Sequence, residues 1–131
     1  MKINRKTIST VIFCVYLAAI AVACFIKGDN IPDVQFTLFG IPTDKIVHFC
    51  MFAPYPLLSF LTFKPHDIGK GRAVLMIAVL TVLGAGLAYG TEMLQGITDY
   101  RAYEIADFHA DLAGLAFGLL VLAAFITYKR K

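Results

Sequence analysis

Hydrophobic positions along the chain fall into four long runs separated by short polar stretches. Thr7 to Ile26 is 20 residues without a charge, and at about 1.5 Å per residue a helix of that length crosses a hydrocarbon core of roughly 30 Å. The second run, Ile46 to Phe63, mixes apolar with polar positions. Asp44, His48, Met51, Tyr55, Ser59 and Thr62 recur every three or four residues, which puts the more polar side chains on one helical face, directed into a bundle. Pro54 and Pro56 each remove a backbone donor and predict a bend near the middle of this helix, with freed carbonyls needing partners. The third run covers about Ala73 to Gln95. Ala78, Thr81, Ala85, Ala88, Glu92 and Gln95 form a seam of small residues ending in two polar ones, and Gly86 with Gly90 makes a second small pair suited to helix packing. The last run reaches from Asp107 to Tyr128. At about 100° per residue, Asp107, Asp111, Gly114 and Gly118 share one narrow stripe, whereas His109 faces the opposite side. The pattern predicts an all-α bundle of four membrane spans, at about 7–26, 46–63, 73–95 and 107–128, forming a single domain.

The connections carry the punctuation. Lys27 to Thr43 contains Gly28, Pro32, Gly40 and Pro42 and reads as a loop, with Phe36, Leu38 and Phe39 placed for the lipid interface. Thr43 is positioned to cap the second helix, whose first turn holds Asp44. Lys64 to Arg72 is a short polar turn, and the stretch after Gly96 carries Asp99, Arg101 and Glu104.

Composition agrees with this reading: 59% of the 131 residues are hydrophobic, above the roughly half of an ordinary soluble domain. The net charge of +3 is clustered beside the runs, so it describes topology rather than nucleic-acid binding. Nine of the 12 Lys and Arg lie in the amino-terminal tail, the 64–72 turn and the carboxyl-terminal tail; only Lys27, Lys45 and Arg101 fall on the other side. By the excess of basic residues on the inner face, both termini are cytoplasmic. Cys14, Cys24 and Cys50 lack metal-ligand spacing and read as small core residues, with a Cys24–Cys50 bridge as a weaker alternative. Neither metal nor cofactor is expected from the spacing. Ala23-Cys24 after a basic start and an apolar run also resembles a lipoprotein signal, but Ala21 matches poorly, and the run is read as a retained span.

With that orientation, Asp44, Lys45, His48, Glu92, Gln95, Arg101, Asp107 and Asp111 gather from three parts of the chain near the outer face. Ionisable groups in apolar surroundings are costly and mark working sites. The groups are expected to converge in one pocket, with Arg101 as the central cation. Structural glue would pair Asp44 with Arg101 and Glu92 with Lys45. A binding site would hold a lipid-linked or glycopeptide head group. Catalysis would use Asp107 and Asp111 as acid and base, His48 as a proton shuttle, Glu92 beside them, and Arg101 or Lys45 on a phosphate. Proton-coupled transport is a fourth reading, which needs an oligomer because four helices are few for alternating access.

Asp44, Lys45 and His48 in DKIVH, then Glu92 with Gln95, Arg101, and Asp107 followed by Gly114 and Gly118, resemble the VanZ-like family of small membrane proteins over about residues 44–118. The resemblance implies a four-helix bundle in the bacterial cytoplasmic membrane and a link to the cell envelope, the family's namesake being associated with teicoplanin resistance. It implies no reaction. Where the family has Asn four residues after the first Asp, this chain has Asp111. A protonated carboxyl offers a donor and an acceptor as an amide does, so Asp111 is expected to fill that place while Asp107 carries the charge.

Overall fold

A computed structural model describes residues 4–25, 37–63, 69–98 and 103–129. Five helices and one small hairpin occupy them: α1 Arg5–Phe25, β1 Thr37–Leu38, β2 Ile41–Pro42, α2 Thr43–Phe52, α3 Tyr55–Phe63, α4 Lys70–Ile97 and α5 Ile105–Lys129. Taken as membrane segments these are four, Arg5–Ala23, Thr43–Phe63, Lys70–Ile97 and Ile105–Lys129, each long and apolar enough to cross a bilayer. The outside of the bundle is apolar as well, with Val74, Val82 and Leu120 all well exposed. Among lipid tails that exposure is favourable, and in water it would be a large sticky patch.

The predicted bend is a full break. α2 ends at Phe52 and α3 begins at Tyr55, because Pro54 and Pro56 cannot donate to the carbonyls one turn back. The Met51 carbonyl at the break accepts the Tyr16 hydroxyl from α1, while Ala53 N–H still reaches the Phe49 carbonyl at 3.0 Å and Leu58 N–H the Pro54 carbonyl at 3.0 Å. His48, Tyr55, Ser59 and Thr62 are buried, so the polar face of this span does look inward; Asp44 at its start is exposed.

α5 is the central helix. Gly114 lies against the Phe49 backbone of α2, and Gly118 against the Ala53 carbonyl and the Pro56 ring, which a Cβ on Gly118 would meet at 2.8 Å. Two glycines one turn apart thus let the broken second span lie directly on α5. Phe52, Tyr55, Phe60, Leu80, Ala88, Leu115, Leu122 and Ile126 fill the space between the helices.

Several expectations are corrected. On α4 the buried face is Ala73, Leu80, Gly84, Ala88, Thr91, Glu92 and Gln95, so the small-residue seam holds from Ala85 onward, while Ala78 and Thr81 are exposed. Gly84 makes the close approach instead: a Cβ there would meet Leu115 at 2.6 Å and Tyr55 at 3.0 Å. Gly86 and Gly90, expected to pack, have no described atom within 4 Å of a built Cβ. Pro42, in extended conformation at the end of β2, precedes α2 without a side-chain cap, and Thr43 is already its first helical residue. Cys14 and Cys50 are exposed free thiols, which replaces the core assignment and the bridge to Cys50; small apolar side chains lose nothing by facing lipid. The Cys24 side chain lies outside the described residues. Part of the 27–43 loop is an antiparallel hairpin pairing Thr37 with Pro42 and Leu38 with Ile41. Phe39 (φ 55) and Gly40 (φ 79) form its turn, the left-handed pair that matches the twist of two short strands.

Candidate functional site

The site lies where α2 and α5 begin and α4 ends. Each helix brings its polar positions there for a local reason. On α2, Lys45 and His48 are one turn apart and project from the same face. On α4, Glu92 and Gln95 continue the buried stripe beyond Ala88. On α5, Asp111 stands one turn and Asp107 two turns before Gly114, on the stripe pressed against α2. Glu104 immediately precedes α5: its carbonyl accepts the Asp107 N–H at 3.0 Å and the Phe108 N–H at 3.3 Å.

The arrangement grades from an open rim to a dry floor. At the rim, Lys45 Nζ meets Asp44 Oδ2 at 2.8 Å, Glu104 Oε1 at 2.9 Å and Asp107 Oδ1. Asp44 and Glu104 are exposed there, whereas the Asp107 side chain is 13% exposed. One turn deeper, His48 Nε2 lies 3.4 Å from Asp107 Oδ2, and its Nδ1 lies 2.9 Å from Asp111 Oδ1 and 3.7 Å from Glu92 Oε1. His48, Glu92, Gln95 and Asp111 are all buried, Glu92 and Asp111 completely. Glu92 Oε2 also accepts the Glu104 N–H at 3.5 Å, tying the floor to the start of α5. Asp111 Oδ2 is buried and has no hydrogen-bond partner.

Asp44, Lys45, His48, Glu92, Asp107 and Asp111, separated widely in the chain, therefore converge as the sequence predicts. Gln95 is buried one turn beyond Glu92 on the same face of α4. Arg101, expected as the central cation, and the Asp44–Arg101 pair lie outside the described residues. Among the described residues the cation at the rim is Lys45. The expected Glu92–Lys45 bridge does not form, because Lys45 is engaged by Asp44, Glu104 and Asp107 while Glu92 sits below, beside His48. Glu104 was not among the predicted site residues; its position three residues before Asp107, at the start of the last run, is the signal that could have placed it. His109 is exposed, away from the cluster.

Five carboxylates (Asp44, Glu92, Glu104, Asp107 and Asp111) face Lys45 and His48, and His48, Glu92 and Asp107 each offer one ligand atom with all three within 4.8 Å of one another. A groove of about 370 Å³ runs alongside, between α1 and α2, lined by apolar residues including Tyr16, Ile20, Ile46, Val47 and Cys50. Ile46 and Val47 sit between Lys45 and His48 in sequence, so one helix presents its polar face to the cluster and its apolar face to the groove. Comparison with protein-family models, curated proteins and solved structures finds no match for this chain.

Proposed function

We propose that this chain is a multi-pass protein of the bacterial cytoplasmic membrane that binds the polar head group of a lipid-linked envelope component, or a glycopeptide, in an outward-facing pocket. The observation that carries this reading is the juxtaposition on α2: charged groups graded from exposed to buried on one side, and an apolar groove on the other. A pure structural bridge needs one cation and one anion, and gains little by burying them. A cluster of five carboxylates with a Lys and a His at the end of a bundle is more than packing requires, and polar groups at that depth serve a ligand or a reaction. The motif resemblance to VanZ-like proteins supports an envelope role, and the distribution of Lys and Arg supports cytoplasmic termini with this end outside. The teicoplanin association of that family is a link by resemblance alone.

Mass spectrometry of lipids retained by the purified protein tests the reading. Wild type is expected to carry a species with a phosphate or sugar head group, enriched over bulk lipid, and Asp107→Ala to lose at least about nine-tenths of it while remaining folded. Identical lipid profiles in two equally folded proteins would overturn it. The acid/base alternative is favoured by one specific contact, the buried His48–Asp111 pair at 2.9 Å, which is the way a base is held in orientation. It predicts that head-group binding survives in His48→Gln while turnover is lost.

A further inference from the structure

We propose that His48, Glu92 and Asp107 form a site for a divalent transition-metal ion, with Asp111 holding the imidazole in the ligating orientation. The proposal rests on the pocket being a binding site, and names what in it would meet the head group.

The argument begins with the two ring nitrogens. Nδ1 lies 2.9 Å from Asp111 Oδ1, a hydrogen-bond distance that needs a proton between the two atoms. With that proton on Nδ1, donated to Asp111, the Nε2 lone pair faces Asp107 Oδ2 at 3.4 Å. Two acceptors facing each other require a positive charge between or beside them; Lys45 supplies one beside Asp107 at Oδ1, and between the two atoms it is either a second proton on the ring or a metal cation. The separation of 3.4 Å suits two atoms that share an ion. A charge-assisted N–H···O bond closes to about 2.7–2.9 Å. Ligand atoms at about 2.0–2.2 Å around a tetrahedral ion stand roughly 3.4 Å apart. The third ligand, Glu92, whose Oε1 lies 3.7 Å from the imidazole at Nδ1, completes a set that offers one ligand atom each, all within 4.8 Å of one another, and the three side chains would draw together around an ion.

A second observation points the same way. Asp111 is fully buried, and its Oδ2 meets no hydrogen-bond donor. A carboxylate backing the ligand histidine from the far ring nitrogen is the usual support of a metal-bound imidazole. Lys45 engages Asp107 through Oδ1 and leaves Oδ2 toward the histidine. One nitrogen and two oxygen donors suit Zn²⁺ or Mn²⁺. Three protein ligands leave a coordination position open, and in this pocket an oxygen of a phosphate-bearing head group would take it.

The test uses the full chain in detergent, stripped with chelator and titrated with Zn²⁺ and with Mn²⁺ in the absence of added lipid. Metal content and calorimetry are expected to give one ion per chain, with a thermal melting temperature that rises on binding. His48→Gln and Glu92→Gln should weaken binding at least about 100-fold and abolish the melting shift, Asp111→Asn should weaken it about tenfold, and the exposed His109→Ala should change nothing. Circular dichroism of each apo variant establishes that it is folded. Wild type that binds no ion, or His48→Gln that binds as wild type does while Asp44→Asn does not, overturns the proposal; the latter would move the ion to the exposed Asp44, Glu104 and Asp107 group. Ion binding without retention of any head group leaves the metal site standing and sinks the lipid reading, and retention of a head group by a protein that binds no ion does the reverse.

Discussion

Asp107 and Asp111 are the same residue type one helical turn apart, yet their surroundings give them different work. Asp107 reaches the rim, where one oxygen is on Lys45 and the other faces His48 Nε2. Asp111 is sealed under the cluster, with one oxygen on His48 Nδ1. An amide at position 111 keeps an acceptor for the Nδ1–H, so the ring stays in place. Asp111→Asn is therefore expected to fold as wild type, melting within about 1 kcal/mol of it, whereas Asp111→Ala leaves a buried imidazole without its partner and should cost about 1–3 kcal/mol. Asp107→Asn removes the charge that Lys45 and His48 face and puts an amide in its place, and should lose head-group retention while melting much as wild type does. Denaturation in detergent with lipid retention on the same samples measures both. The opposite order, with Asp111→Asn functionless and Asp107→Asn intact, would make Asp111 the working carboxylate. The sequence placed both on one stripe. It could not say which was nearer to lysine, since that depends on how far α2 slides along α5.

At the scale of elements, periodicity located all four spans and both glycines that matter on α5, because small residues at one-turn spacing beside carboxylates have few other uses. It failed where a choice lay between two faces of one helix. On α4 a stripe of small residues and a stripe with Leu80 and Gly84 run nearly side by side, and the second won because Gly84 admits Leu115 and Tyr55. The two-proline signal correctly predicted a disruption of the second span but not a separation into α2 and α3. Short hairpins such as 37–42 escape a reading tuned to long apolar runs; only the Phe39-Gly40 turn marked it. The packing gives a contrast between glycines. Gly114→Ala drives a methyl group into the Phe49 backbone, which cannot rotate away, so it should destabilise the bundle by about 1–3 kcal/mol. Gly86→Ala and Gly90→Ala meet no described atom within 4 Å and should be neutral or slightly stabilising, by at most about 1 kcal/mol each. Melting of the three variants in detergent decides it, and an equal loss from Gly86→Ala would show that this face is covered by another helix or a second copy.

For the whole molecule, the site was legible because polar residues are so scarce in this chain that each is informative, and because successive segments that alternate in direction bring the start of the second, the end of the third and the start of the fourth to one end. The partners within the site were not legible. Lys45 joins Asp44, Glu104 and Asp107, a set spanning the second and fourth helices that no spacing rule connects. What the cluster can bind depends on which side of the membrane this end faces, and the proposed orientation, with this end outside, comes from the sequence alone: nine of the 12 Lys and Arg fall in the tails and the 64–72 turn, and three in the other two connections. A head group on an exported, lipid-linked precursor would be met from outside, and a cytoplasmic one from within. The hairpin tip gives a clean reporter, because Phe39 is 95% exposed next to the start of α2, while Lys70 begins α4 at the other end. With Cys14, Cys24 and Cys50 replaced by Ser, Phe39→Cys should react with a membrane-impermeant thiol reagent in intact cells stripped of any outer barrier, and Lys70→Cys only after the membrane is opened. Labelling of position 70 but not 39 in intact cells would invert the protein, place the acidic cluster in the cytoplasm, and exclude an exported head group or an extracellular glycopeptide as its ligand.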